Sequence, residues 1–168
     1  MGLKSWALEM ARYNRWQNER LYALCGELSD AVRKEDRGMF FGGIHRTLDH
    51  ILALDRALLD YCVSGTPPTN LDFDRLVHDD FEKLEEAQLA FDAGLETLID
   101  AQPESWFDGT LSFASDRLER EREFPRWFYW AQLFNHATHH RSQVTAELHR
   151  LGIDYGITDM PYNPRSLF

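Results

Sequence analysis

With 168 residues, 43% hydrophobic and 13% aromatic, the chain is long enough to bury a core and too apolar to stay disordered. Its formal charge of −10 argues against nucleic acid or an anionic membrane as a partner, and the arginines between 117 and 126 alternate with Glu119, Glu121 and Glu123, so they form no basic stripe. No run approaches the roughly 18 apolar residues of a membrane span, and the opening Met-Gly-Leu-Lys-Ser-Trp lacks both a signal-peptide core and the hydroxyl that a myristoylation pattern needs where Trp6 stands.

Four segments carry apolar residues at helical spacings of three and four. The first runs from about 5 to 29, with Trp6, Met10, Tyr13, Leu21, Leu24 and Leu28 on one stripe. The second runs from about 38 to 64, with Ile44, Leu48, Ile51, Leu58 and Cys62. A loop follows by composition, Gly65-Thr66-Pro67-Pro68-Thr69-Asn70. The third helix runs from about 74 to 101, with Val77, Phe81, Leu84, Phe91, Leu95 and Leu98. Residues 108 to 124 are not helical in pattern. There, Thr110-Leu111-Ser112-Phe113 can pair with 118 to 124 as a short hairpin around Ala114-Ser115-Asp116-Arg117. The fourth helix runs from about 125 to 151, with Trp130, Leu133, Val144 and Leu148; Pro125 suits its first turn and Gly152 its stop. The tail, with Gly156, Pro161 and Pro164, reads as an irregular strap.

No internal repeat or domain boundary shows, so the expectation is one all-α domain over 1–168, a four-helix bundle with a hairpin-like insert before the last helix. Cys25 and Cys62 are far apart, form no C-x-x-C, and lie on apolar stripes. They read as reduced core thiols in a cytoplasmic protein.

The chemistry concentrates in Phe134-Asn135-His136-Ala137-Thr138-His139-His140-Arg141-Ser142-Gln143. Imidazoles four residues apart stack on one helix face, the geometry by which one helix offers two ligands to one ion. Tyr129, Leu133, Gln143 and Val144 share that face, so His136 and His140 point into the bundle, where an unpartnered polar ring is costly. His50 is the candidate third ligand: it lies mid-helix on a face with Gly43, Thr47 and Ala57, whose small side chains leave room beside the ring. The alternative for the pair is a hydrogen-bonded core arrangement satisfied by Gln143 or Tyr129. His45, His78 and His149 diverge from this face and read as surface or structural groups; His139, about 100° around the helix from His140, reaches at most the histidines' outer partners.

The residues that are missing narrow the chemistry. Ala137 and Thr138 follow His136 where a metallopeptidase carries its glutamate, and no E-x-x-H pair of a di-iron bundle occurs. No Walker A, dinucleotide fingerprint or serine elbow is present. A mononuclear site with three neutral ligands keeps the full charge of its ion and lowers the pKa of a bound water or thiol. Zinc and nickel lead the candidate ions, with iron and manganese also able to take imidazoles.

The segment 134–144, together with Thr47-Leu48-Asp49-His50-Ile51-Leu52-Ala53-Leu54-Asp55 and Tyr13-Asn14-Arg15-Trp16-Gln17-Asn18, resembles the DinB/YfiT-like family, with Ser142 where members often carry glycine. That resemblance implies an up-down-down-up bundle, commonly dimeric, with a divalent metal held by His50, His136 and His140. It further implies a thiol-dependent transferase or isomerase, and first a metal-dependent S-transferase related to bacillithiol- and mycothiol-dependent enzymes, in which an activated low-molecular-weight thiol attacks an electrophilic small molecule. The other reading is a non-catalytic metal-binding or stress-response protein. Gln143, Tyr61 and Asn135 are candidates to orient ligands or substrate, and Trp16 or Trp127 to pack a dimer.

Overall fold

In a computed structural model, which describes residues 2–68, 72, 75–114 and 120–168, four long helices carry the fold: α1 (Leu3–Gly26), α3 (Ile44–Ser64), α4 (Phe81–Ala101) and α5 (Arg126–Arg150). A short helix, α2 (Asp30–Lys34), follows α1, and a two-stranded antiparallel ribbon, β1 (Thr110–Phe113) with β2 (Arg122–Pro125), precedes α5. Cross-helix partners give the directions. Arg15 meets Glu96 and Asn18 meets Asp92, so α1 and α4 run antiparallel. His50 meets His136 and Tyr61 meets Tyr129, so α3 and α5 also run antiparallel. Trp6 packs on Phe134 while Arg141 reaches Asn14, so α1 and α5 run parallel. The order is therefore up-down-down-up, as the resemblance implies. No helix is long and apolar enough to cross a membrane among the described residues.

α3 and α4 point the same way, so the segment that enters α4 starts from the end of the bundle where α3 begins. It is pinned there by the buried Asp49 carboxylate, which accepts from the Val77 and His78 amides at 2.7 and 3.0 Å and contacts His78 Nδ1 at 2.8 Å. His45, fully buried, contacts the His78 carbonyl at 2.7 Å. Of the surface and structural readings of His45 and His78, these contacts give the structural one.

Local chemistry explains the helix ends. Ser29 Oγ accepts from Val32 N at 3.3 Å and Asp80 Oδ1 from Lys83 N at 2.9 Å, satisfying amides that a helix start leaves open. Glu104, from a turn 100 residues away, accepts from Lys4 N at the start of α1, where a carboxylate also suits the helix dipole. At the end of α5, Gly152 takes φ +77°, its amide bonds His149 O, and Ile153 N bonds Leu148 O, a Schellman stop.

Three expected boundaries move. The second helix starts at Ile44 rather than near 38. Gly42 takes φ +83°, Met39 and Gly42 bridge, and a Cβ on Gly43 would lie 2.5 Å from Glu35 O, so 38–43 form a tight loop. The third helix starts at Phe81, after its Asp80 cap, rather than near 74; Asp74 itself lies outside the described residues. The ribbon is present with Thr110 opposite Pro125 and Phe113 opposite Arg122, and its second strand runs Arg122–Pro125; the expected turn residues Ser115 to Arg117 and the strand start at Leu118 lie outside the described residues. Thr69 and Asn70 of the first expected loop do too.

The interior is apolar at both ends and polar in the middle. One cluster holds Ala7, Leu95, Ile99, Phe107, Trp130 and Phe134; the other holds Tyr22, Cys25, Leu48, Ile51, Leu84 and Val144. Both cysteines are buried and free, and burial pushes each thiol up to about 12. Between the clusters, Asp92 accepts from Asn14, Asn18 and Gln88 at 3.2, 2.9 and 3.3 Å, while Arg141 donates to Asn14 and Asn18. Burial raises the Asp92 carboxyl to about 6 and that of fully buried Asp55 well above its ordinary value. The histidines lie on a different face of α5, His140 about 100° around the helix from Arg141.

Candidate metal centre

His50 on α3 and His136 and His140 on α5 converge, with one ligand nitrogen from each lying within 4.8 Å of the others. The closest pair, His50 Nε2 and His136 Nε2, is 3.1 Å apart. Ring centroids lie 4.9 Å apart for His50 and His140, and 4.4 Å for His136 and His140. Metal–nitrogen bonds of about 2.0–2.1 Å in a tetrahedron place neighbouring donors about 3.3 Å apart, so this spacing fits one ion with small ring movements. Among the described residues no other His, Cys, Asp or Glu group converges in this way.

The protonation states also fit. His50 is pushed down to about 4, by burial first and then by His140. His136 is pushed down to about 3, by burial and then by His140, His50 and His139. His140 is lowered by burial, partly offset by its bond to Gln143. At neutral pH all three rings are therefore uncharged, and each keeps one lone pair for a cation.

His140 Nδ1 lies 2.9 Å from Gln143 Oε1. An amide oxygen only accepts, so Nδ1 carries the proton and Nε2 is left as the ligand atom. Gln143 Nε2 in turn lies 3.3 Å from Nε2 of the exposed His139. His136 Nδ1 is buried without a hydrogen-bond partner among the described residues. Gln143, a candidate to orient ligands or substrate, thus bonds His140, and His139 joins the set through it.

Two anticipated neighbours are elsewhere. Tyr61 stands three turns beyond His50, about 16 Å along α3. Its hydroxyl donates to the Ser112 carbonyl, and its ring packs on Tyr129 at 4.9 Å. The ribbon claims Tyr61, and with it Tyr129, which was the alternative partner for the histidine pair. Asn135 is exposed and sits about 100° around α5 from His136.

The residue missed by sequence reasoning is Phe41. Its ring stacks on His50 at 3.9 Å and lies 5.4 Å from His140. Its loop lies within the stretch where apolar spacing predicts helix, and the signal that marks it is the trio Gly38, Gly42 and Gly43. Beside it Phe40 is 81% exposed.

A family model described as the DinB family matches residues 1–166. No curated protein matches the chain.

Proposed function

The chain belongs to the DinB family, and from that premise we propose that His50, His136 and His140 hold one divalent cation and leave a coordination position for a substrate thiol. The convergence of three neutral ring nitrogens within 4.8 Å carries this reading. Imidazoles favour zinc or nickel, then iron or manganese. A divalent ion with three neutral protein ligands supplies Lewis acidity that favours the thiolate form of a thiol at the remaining position.

The residues do the rest of the work. Gln143 holds the His140 tautomer, and Phe41 covers the His50 side, excluding water and keeping the rings uncharged. The reaction this suits is S-transfer: the sulfur of a low-molecular-weight thiol forms a bond to an electrophilic carbon, the leaving group departs with its electron pair, and the thiol proton passes to solvent. A cytoplasmic homodimer suits such an enzyme, with the 39%-exposed Trp127 the better of the two aromatic candidates, since Trp16 is half-buried under the Arg20 guanidinium.

Two measurements test the proposal. Untagged protein should carry about one equivalent of divalent metal per chain, and His136→Ala should lose it; equal metal content in both proteins would remove the site. Glutathione, bacillithiol and mycothiol are then tried with monochlorobimane. Metal-dependent conjugation with one of them supports the transferase; a loaded protein inert with all three leaves the non-catalytic metal-binding reading instead.

A further inference from the structure

The loop between α2 and α3 sets two aromatic rings beside the histidines, and only one of them packs on a ligand. Met39 turns inward against the apolar cluster around Tyr22 and Leu48. Phe41 turns onto His50 and reaches toward His140. Phe40, between them in sequence, points outward: 81% of it is exposed, and its ring stands edge-on against Phe41 at 4.8 Å. The rim of the metal centre on the His50 and His140 side is therefore aromatic, with Phe41 against the ligands and Phe40 beyond it in solvent.

A lone exposed apolar side chain is ordinary on a protein surface. Place and rigidity set this one apart. Gly42 N donates to Met39 O at 2.9 Å, so Phe40 and Phe41 are the two central residues of a β-turn. Arg37 N donates to Gly42 O at 2.8 Å and Gly38 N to Asp36 Oδ1 at 3.0 Å, which ties the base of the loop. Arg37 Nη1 also donates to Oε1 of the buried Glu147 at 3.1 Å, which fastens that base to α5. Swinging the tip away would break these bonds and pull Met39 from the core. The turn thus presents the Phe40 ring at a fixed place beside the ligands, and a ring held in advance loses little entropy when a partner stacks on it.

The geometry points to Phe40 as a specificity-determining residue of the metal centre, which stacks an aromatic group carried by the electrophile while the reacting carbon lies at the metal-held sulfur. This rests on the S-transfer reading above and names the class of acceptor: compounds with an aryl group next to the electrophilic carbon. A phenyl ring offers a π face and an apolar edge and no hydrogen bond. It therefore suits a flat apolar acceptor better than a low-molecular-weight thiol, whose recognition falls to polar groups and the metal.

The test uses the full chain reloaded with cobalt(II), whose thiolate charge-transfer absorption reports occupancy of the metal's free position without turnover. Phenylmethanethiol puts a phenyl group one carbon from the sulfur, as the product of transfer to an arylmethyl electrophile does; propanethiol lacks the ring. Phe40→Ala should weaken phenylmethanethiol by about three- to tenfold and propanethiol by less than about twofold, while Phe40→Tyr keeps the parent's affinity for both. Following each thiol across the variants cancels the different acidities of the two thiols. Phe40 packs on Phe41 rather than on a ligand ring, so cobalt content should be equal in all three proteins. A chain that takes up no cobalt, or a loaded chain that binds neither thiol, removes the histidine site and this proposal with it. A loaded chain that binds both thiols, with Phe40→Ala weakening neither or both alike, overturns the role of Phe40 and leaves the metal site standing. A loss in Phe40→Tyr as large as in Phe40→Ala would overturn it too. So would light scattering that shows a dimer dissociated by Phe40→Ala, since the ring would then be an interface between two copies.

Discussion

Replacing Gln143 with leucine isolates the bond that orients one ligand. Gln143 Oε1 lies 2.9 Å from His140 Nδ1, and its amide nitrogen ties in His139. Leucine keeps the bulk and helix propensity and removes both contacts. Two effects then oppose each other. The lost bond had raised the His140 pKa against burial, so the variant ring protonates even less readily, which by itself would favour a metal. That gain is negligible near neutral pH, because the ring is already deprotonated there. The loss is orientational: Nδ1–H loses its acceptor, and the ring is free to turn or to take the tautomer that puts the proton on Nε2. Removing such an outer partner costs about 10–100-fold in metal affinity, or about 1.4–2.7 kcal/mol. Zinc affinity measured by competition with a chromophoric chelator near neutral pH should fall by that factor, while the melting temperature of the metal-free protein moves little, since Gln143 is only half-buried. Affinity within about twofold of the parent would show that packing alone sets the His140 ring and would refute the orienting role.

Three further outcomes are expected. The metal-free protein should lose stability as pH falls from the ordinary imidazole value near 6.5 toward about 4, because in that window the unfolded rings bind protons that folded His50 and His136 refuse. Asp92, raised to about 6, contributes with the opposite sign, so the informative quantity is the difference between parent and His136→Gln across acid denaturation curves; parallel curves would contradict the depressed value. Trp130→Ala, which empties a fully buried site bordered by Trp106, Phe107 and Phe134, should destabilise by about 3–5 kcal/mol in urea unfolding, and a loss below about 1 kcal/mol would show that this end of the core collapses around the gap. Gly152→Ala forces a Cβ into φ +77° with open space around it, so the expected cost of about 1 kcal/mol is purely conformational, and an unchanged urea midpoint would mean that the helix end relaxes to another stop.

The helices were legible because their cause is local. Leu48, Ile51 and Leu52 share a face whatever surrounds them, and the His136/His140 pair follows from the helical repeat alone. The stops at Gly65 and Gly152 and the cap at Asp80 are equally local, and reading Asp80 as a cap would have placed the third helix start correctly. The loop at 38–43 was legible too, in its three glycines, but the apolar residues around it mimic a helical stripe. Tyr61 shows the converse: its position on the His50 face is real, yet sharing a face says nothing about depth along a bundle, and the ribbon took it.

What only the tertiary structure decides is which distant residues meet. The antiparallel pairing of α3 with α5 brings His50 to 3.1 Å from His136 across 86 residues of chain, and a loop that belongs to neither helix lays Phe41 on the ring. The same packing sinks Asn14, Asn18, Asp92 and Arg141 into one layer, where a solitary polar residue would be costly and a mutually bonded set is tolerated. Periodicity along one chain reports the direction of a side chain. Burial, pKa and ligand geometry depend on what stands opposite, and that is a property of the packed bundle.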